Sequence, residues 1–169
     1  MVLIAEGQVP EDVEPCVELW VAALRDRDGK VDVEPVSART RGVFAGPVVR
    51  FAVARAADGG SAPEGFAVTV PHAEEPPVAV LERIAVAPGA GGRGIGRALL
   101  TDALDASRSA GFDAVELGVR VGNPAVRLYE AAGFRAVGSP EPHPLGGAPM
   151  VRYRRDLRDL DDARGRRAD

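Results

Sequence analysis

The sequence lacks several features that would each indicate a particular class of protein. Cysteine occurs once among the 169 residues, at Cys16, so neither an internal disulfide nor a cysteine-rich zinc site is expected. The two histidines, His72 and His143, are too few for a histidine metal cluster, and we expect no metal. No apolar run reaches the roughly 20 residues that span a membrane. The first residues carry no basic segment of the secretory kind. Together these absences predict a cytoplasmic protein with no membrane partner.

An excess of positive charge is also missing. The chain has 25 acidic and 21 basic residues, a formal net charge of −4. Proteins whose main task is binding nucleic acid or anionic lipid usually carry a basic excess, so we expect no nucleic-acid partner. The length is that of one ordinary domain, which buries roughly 70% of its extended surface on folding and needs no disulfide or metal for stability. We therefore predict a single domain over residues 1–156, followed by a charged tail at 157–169.

Hydrophobic spacing and turn residues predict strands and helices in mixed order. A strand-turn-strand pattern at 48–70 favours antiparallel pairing, whereas the strand-helix alternation at 78–138 favours parallel pairing. We therefore expect a mixed sheet with helices on both faces. The predicted elements are a strand at 2–5, a helix beginning at 10–12, a short second helix within 25–46, strands at 48–55, 65–70 and 78–86, a helix at about 94–110, a strand at 115–121, a helix beginning at Pro124 with Asn123 as its N-cap, a strand ending near 138, a loop at 140–149 and a last strand at 150–153.

The most informative segment is the turn that joins the strand at 78–86 to the long helix. Five glycines occur within residues 89–96, where they allow positive φ and close approach of a ligand to the backbone. At a helix N-terminus, free main-chain N–H groups bind anions such as a pyrophosphate. The nucleotide-hydrolase motif is excluded, since Arg97 and Ala98 follow Gly96 in place of Lys and Ser or Thr. Gly89, Gly91 and Gly94 fit the dinucleotide spacing formally, but that fingerprint alone is weak evidence.

Two motifs together are more specific than this turn. The first is LERIAVAP at 81–88 leading into RGIGRALL at 93–100, and the second is NPAVRLYEAAGF at 123–134. In this order and separation they resemble the GNAT superfamily of acetyl-CoA-dependent N-acetyltransferases. The motifs cover about residues 78–134, and the order of the predicted elements resembles the family over nearly the whole chain. One position departs from the family pattern: Gly91 stands where Gln or Arg is usual, while Gly94 and Gly96 match.

The resemblance implies an α/β fold of three layers. Its mostly antiparallel, mixed sheet of six to seven strands has a parallel central pair that splays apart, with helices on both faces. It also implies acetyl-CoA as the acetyl donor. The main chain of Ile84, Ala85 and Val86 would hold the pantetheine arm, and the N–H of Val86 would stabilise the oxyanion at a bulge where the central strands separate. The pyrophosphate would lie on Gly91, Gly92, Arg93, Gly94, Ile95, Gly96, Arg97 and Ala98, and Asn123 would bind the arm.

Two catalytic side chains follow from the resemblance and from the chemistry of amine acetylation. An amine has a pKa of about 10 and must lose a proton before it attacks, which requires a base. Glu82 is the leading candidate; Glu116, Glu75 and His72 are alternatives. The leaving thiolate, with a pKa of about 8.5, must gain a proton, and Tyr129 occupies the family position of that acid.

Each of these residues also has a purely structural interpretation. Glu82 could be an exposed strand carboxylate paired with Arg83 or Arg120. Tyr129 shares helical spacing with apolar neighbours and could be a core aromatic residue. Asn123 could serve only as an N-cap.

The sequence therefore predicts direct acetyl transfer to a primary amine in a ternary complex. No acyl-cysteine is expected, because Cys16 lies on the apolar stripe of the first helix. The resemblance implies that the acceptor is chosen by residues 20–46 and 138–149, and neither segment contains a diagnostic motif. A peptide N-terminal or lysine acetyltransferase and a non-catalytic CoA-binding sensor stay open as alternatives, and the resemblance is compatible with a homodimer.

Overall fold

A single seven-stranded sheet organises the computed structural model, which describes residues 2–144 and 146–159. The strands lie in the order β1-β2-β3-β4-β5-β7-β6. The elements are β1 (Val2–Glu6), α1 (Val13–Asp28), α2 (Val33–Val43), β2 (Arg50–Ala56), β3 (Gly65–Pro71), β4 (Val78–Val86), α3 (Ile95–Ser109), β5 (Ala114–Arg120), α4 (Val126–Ala131), β6 (Arg135–Pro142) and β7 (Pro149–Asp156).

The sheet is mixed, as the sequence predicts. Neighbouring strands pair antiparallel except β4 and β5, which are parallel. The expected parallel pairing across residues 78–138 is correct for β4 and β5 but wrong for the strand after α4. β7 lies between β5 and β6 and pairs antiparallel with both, so β6 runs parallel to β5 without contacting it. Spatial strand order is set by packing, which the sequence of elements does not specify.

The predicted loop at 140–149 is too long. β6 continues to Pro142 and β7 begins at Pro149. Prolines suggested a loop because they cannot donate to a strand ladder, but β6 is an edge strand, where a proline can face away from the partner. Pairing with β7 breaks after Val137 and resumes at Glu141 opposite Met150.

Helices cover both faces of the sheet, which confirms the predicted layering. One face holds α3 and α4 over the larger hydrophobic cluster, with Leu99, Leu100 and Phe134 fully buried. The opposite face holds α1 over a smaller cluster that includes Phe51 and Phe66, and α2 packs beside α1. None of the helices in the described part of the chain is both long and apolar enough to cross a bilayer.

The packed region extends slightly past β7. Leu157 is buried in the larger cluster, although the sequence places it at the start of the charged tail. Residues 160–169, which make up most of that predicted tail, lie outside the described residues.

Candidate functional site

The parallel strands β4 and β5 separate shortly after they pair. Their ladder covers Val78–Val80 against Ala114–Glu116 only. In β4, Leu81 lies opposite Thr69 and Arg83 opposite Val68, so Glu82 is an extra residue, which makes it a β-bulge. A bulge bends its strand and increases its twist, which accounts for the divergence from β5. The resemblance placed the bulge at Val86; that position is wrong, because the register shift occurs at Glu82.

Beyond the bulge, one edge of β4 faces the opening. The N–H of Ala87 donates to the carbonyl of Glu64, N to O 2.8 Å, and so points toward β3. Backbone groups alternate in direction along a strand, so the N–H groups of Ile84 and Val86 point toward β5, beyond the end of the described β4–β5 ladder. The N–H of Ala85 is directed at β3, and its side chain lies in the smaller hydrophobic cluster.

A cavity of about 430 Å³ occupies this opening and extends beneath α1 and α2. We call it the cleft. Four residues singled out by sequence line it together: Glu82 and Ile84 from β4, Asn123 from the turn after β5, and Tyr129 from α4. The structure thus brings the proposed base, the proposed acid and part of the proposed cofactor path to one place.

Tyr129 serves both the core and the cleft. Its side chain is 7% exposed and meets Phe134 edge to face, with ring centroids 6.1 Å apart. Burial raises the pKa of Tyr129 to about 12, and the positive charge of Arg27 opposes that shift. The phenol therefore stays protonated at neutral pH, as a proton donor must.

Glu82 is the one of the four candidate bases that lines the cleft. Its side chain is 39% exposed, and one carboxylate oxygen lies 3.5 Å from Nη1 of Arg83. Of the two structural partners expected for Glu82, Arg83 is therefore the one it pairs with. The other, Arg120, pairs with Asp28. A carboxylate on the bulge can still reach a ligand, because the same side chain borders the cavity.

The other three candidate bases form a separate cluster. Glu116 is buried, with its carboxylate 3.0 Å from Nη1 of Arg154 and 3.9 Å from Nε2 of His72. Nδ1 of His72 accepts hydrogen bonds from the backbone N–H groups of Glu74 and Glu75. These contacts tie the cluster to the β3–β4 connection, and none of its members borders the cleft.

The glycine-rich turn has the geometry of an anion site. Gly89, Gly92 and Gly94 have φ angles of +84°, +79° and +76°, which side-chain-bearing L-residues rarely adopt. α3 begins directly afterwards, so the N–H groups of its first turn have no acceptor within the helix. Ala98, which was among the residues predicted to hold the pyrophosphate, differs from the others. Its N–H already donates to the carbonyl of Gly94, N to O 3.0 Å.

The two arginines of the turn differ in whether they are available to a ligand. Arg93 pairs with Glu64 at 2.9 Å, so it is engaged within the protein, whereas Arg97 is exposed. Gly96 has a packing role: a Cβ placed there would lie 3.3 Å from Cδ2 of Leu128, which adjoins Tyr129. Its small size lets the start of α3 pack closely against α4.

Asn123 caps a turn that precedes α4. Its side-chain oxygen accepts from the N–H of Ala125 at 2.9 Å, and its carbonyl accepts from the N–H of Val126. The prediction that the helix begins at Pro124 is wrong, because α4 begins at Val126. The capping role is nevertheless present, and Asn123 also borders the cleft.

Sequence reasoning missed Arg83 as a cleft residue. Its side chain is 12% exposed and lies over the ring of Trp20, 5.1 Å from the centroid, while Nη1 donates to the carbonyl of Glu82 at 2.7 Å. The available signal was its position beside Glu82 in the first motif. Trp20 and Arg39 also line the cleft, within the 20–46 segment that the resemblance associated with the acceptor.

Cys16 offers no nucleophile to the site. It is fully buried on α1, and burial raises the pKa of its thiol to about 12. Within the described ranges, no three His, Cys, Asp or Glu side chains converge in a way that could hold a metal ion.

Known proteins are similar to this chain in both sequence and fold. The sequence model of the acetyltransferase (GNAT) family matches residues 16–134. Phosphinothricin N-acetyltransferase of Streptomyces coelicolor is 33% identical over 140 residues, which cover 78% of this chain and 81% of that protein. A GCN5-related N-acetyltransferase from Kribbella flavida is 27% identical, with a TM-score of 0.72 over 92% of this chain and 97% of that one. Salmonella typhimurium yncA, solved with its cofactor acetyl-CoA, is 20% identical, with a TM-score of 0.70 over 93% and 94% of the two chains. The chain therefore belongs to the GNAT family and is an N-acetyltransferase.

Proposed function

We propose that the protein transfers an acetyl group from acetyl-CoA directly to a primary amine while both are bound in the cleft. The observation that carries this proposal is that Glu82 and Tyr129 line one cavity at the point where the sheet opens. A base for the incoming amine and an acid for the departing sulfur are the two proton-transfer groups that such a reaction requires.

The chain offers matching groups for the cofactor. The free N–H groups at the start of α3, together with exposed Arg97, suit the pyrophosphate. The edge of β4 presented by Ile84 and Val86 suits the pantetheine arm, which would add to the sheet as an extended segment does. The bound cofactor supplies an activated acetyl thioester to the amine.

Each step then has a residue of this chain. Glu82 accepts a proton from the acceptor ammonium, because only the neutral amine is nucleophilic. The N–H of Val86 donates to the oxygen on which negative charge develops. Tyr129, protonated at neutral pH, donates a proton to the leaving sulfur.

A peptide acceptor is the second candidate. A neighbouring groove of about 550 Å³ shares Arg39, Glu82 and Arg83 with the cleft. An acceptor longer than a small amine could therefore place its amine at Glu82 and extend into the groove.

Calorimetry and a thiol-release assay test the proposal together. We expect acetyl-CoA to bind and NAD not to bind, and we expect thiol release that depends on an amine from a panel of small amines, phosphinothricin and short peptides. Binding without release for any amine would indicate the sensor alternative, and absence of binding would contradict the proposal. Light scattering on the same sample tests whether the chain forms the homodimer with which the resemblance is compatible. Fractionation of producing cells tests the predicted cytoplasmic location.

A further inference from the structure

The cleft is positively charged within a negatively charged protein. Five cationic side chains line it against three carboxylates, although the whole chain has a formal net charge of −4. The cations are Arg27, Lys30, Arg39, Arg83 and Arg120, and the carboxylates are Asp28, Asp32 and Glu82. This local reversal is what a site for an anionic ligand requires.

Ion pairs between the residues that line the cleft neutralise only some of its charged side chains. Asp28 pairs with Arg27 at 2.8 Å and with Arg120 at 3.4 Å. In contrast, the side chains of Lys30 and Arg39 form no hydrogen bond or ion pair with any residue in the described ranges, and neither does that of Asp32. Two cations and one carboxylate therefore face the cleft uncompensated.

Arg83 is the most deeply placed of these cations. Its guanidinium lies between Trp20 and the bulge, and its pairing with Glu82 is loose at 3.5 Å. Burial lowers the pKa of Arg83, the carboxylate of Glu82 opposes that shift, and the nearby positive charge of Arg39 adds to it. A buried cation next to a second cation is stabilised when an anion binds to both.

The bulge brings a negative and a positive side chain side by side into the cleft. Glu82 and Arg83 are consecutive, yet both side chains reach the cleft, with carboxylate and guanidinium 3.5 Å apart. An amino acid carries its ammonium and its carboxylate at a similarly short separation. Its ammonium can lie on Glu82 while its carboxylate lies on the arginines.

We infer that the acceptor is an anionic amine, such as an amino acid, whose acidic group binds to Arg39 and Arg83 while its amine lies at Glu82. This inference rests on the proposed function, because it assigns the substrate class of the same cleft. It favours acceptors with an acidic group near the amine over polyamines and uncharged amines.

Matched pairs of acceptors test the inference. We compare L-phenylalanine with phenethylamine and L-methionine with 3-(methylthio)propylamine in the thiol-release assay. The acidic member of each pair should have a kcat/KM at least about tenfold higher, a difference of about 1.4 kcal/mol. Equal turnover of both members, or a preference for the uncharged amine, would overturn the inference and leave the proposed function intact.

Two arginine variants of α2 distinguish the binding of the acceptor's acidic group from a general effect of removing a positive charge from this helix. Arg39→Gln should raise KM for the amino acids about tenfold while leaving the kinetics of the uncharged amines and KM for acetyl-CoA unchanged. Arg41→Gln is the matched control, since Arg41 lies on the same helix, pairs with Glu14 and borders neither cavity. It should change none of these constants. A uniform loss for charged and uncharged acceptors in Arg39→Gln would contradict a role in anion binding.

Trp20 provides a readout that does not depend on turnover. It is the single tryptophan of the chain and lies against Arg83. In the presence of CoA, N-acetyl-L-methionine should change its fluorescence, whereas N-acetyl-L-methionine amide should not, and Arg39→Gln should shift the midpoint about tenfold. Absence of a carboxylate-dependent change overturns the inference, even if no acceptor in the panel is acetylated.

Discussion

At the scale of single residues, Tyr129 has a structural contact in the core and a proposed chemical role, and one substitution can separate the two. Tyr129→Phe removes the hydroxyl and keeps the ring against Phe134. We expect kcat to fall about a hundredfold, the usual contribution of a general acid, with the Kd for acetyl-CoA changed less than about twofold. Kinetics and calorimetry on the same preparation measure both quantities.

The unfolding midpoint of Tyr129→Phe serves as the control for structural damage. An unchanged midpoint would assign the loss of turnover to chemistry. A parallel loss of turnover, cofactor affinity and stability would instead assign Tyr129 to the core alone.

The raised pKa of Tyr129 predicts the pH dependence of turnover. A group that acts in its protonated form loses activity as the pH rises through its pKa, and burial places that pKa at about 12. We therefore expect kcat to show no alkaline decline due to Tyr129 below about pH 10. An alkaline decline near neutrality that disappears in Tyr129→Phe would contradict this assignment.

Cys16 should take no part in the reaction. Its thiol is fully buried and, with a pKa of about 12, stays protonated, whereas a nucleophilic cysteine acts as the thiolate. After incubation with acetyl-CoA and no acceptor, mass spectrometry of the intact protein should show no added acetyl group. Cys16→Ala should keep the wild-type kcat, and a large loss of kcat at unchanged stability would contradict direct transfer.

At the scale of elements, the start of α3 depends on glycine at one position and not at another. Gly94 has φ +76° at the N-cap, where an alanine is strained by about 1–2 kcal/mol. Gly91 has no positive φ, and no atom of residues 2–144 and 146–159 lies within 4 Å of a Cβ placed there. We expect Gly94→Ala to lower stability by about that amount and to weaken acetyl-CoA binding, and Gly91→Ala to change neither.

Urea unfolding and calorimetry of the two variants measure these effects. Because both substitutions add the same methyl group to the same turn, a difference between them isolates the backbone conformation. Equal effects of Gly94→Ala and Gly91→Ala would contradict the proposed anion site, which depends on the backbone conformation of this turn.

Local patterns predicted the elements better than their arrangement. The strand at Val78–Val86 was predicted with its observed bounds, because hydrophobic residues and a following glycine turn delimit it. The predicted strand corresponding to β6 was too short, because Pro140 and Pro142 indicate a loop unless the strand is known to lie at the edge of the sheet. Nor does the sequence show that β7 inserts beside β5, since that pairing depends on contacts between distant segments.

For the candidate site as well, local motifs were predictive and contacts between distant segments were not. Glu82, Asn123 and Tyr129 were predicted through motifs, and the structure places them in one cleft. Arg39 was missed because its segment carries no motif, and it comes to the cleft through the packing of α2 beside α1. Local composition does not encode a contact of that kind.

At the scale of the whole molecule, the sheet is continuous but weakly joined at its centre. β4 pairs along its length with β3, and β5 along its length with β7, whereas β4 and β5 pair only over Val78–Val80. α3 packs across both halves and supports the junction on one face. A ligand that occupies the opening would contact both halves and therefore stabilise the folded chain as a unit.

This arrangement predicts a global and a local response to the cofactor. At a hundred times its Kd, a ligand that binds only the folded state adds about 2.7 kcal/mol of stability, which corresponds to a rise in Tm of about 5–10 °C for a chain of this size. Acetyl-CoA should produce that rise and NAD should not.

Hydrogen exchange should also slow at the N–H groups of Ile84 and Val86. It should change little at Ala87, whose N–H already donates to Glu64. A rise in Tm without protection at Ile84 and Val86 would place the cofactor away from the open edge of β4. In that case the N–H of Val86 could not serve the oxyanion, because the reacting acetyl group would lie elsewhere.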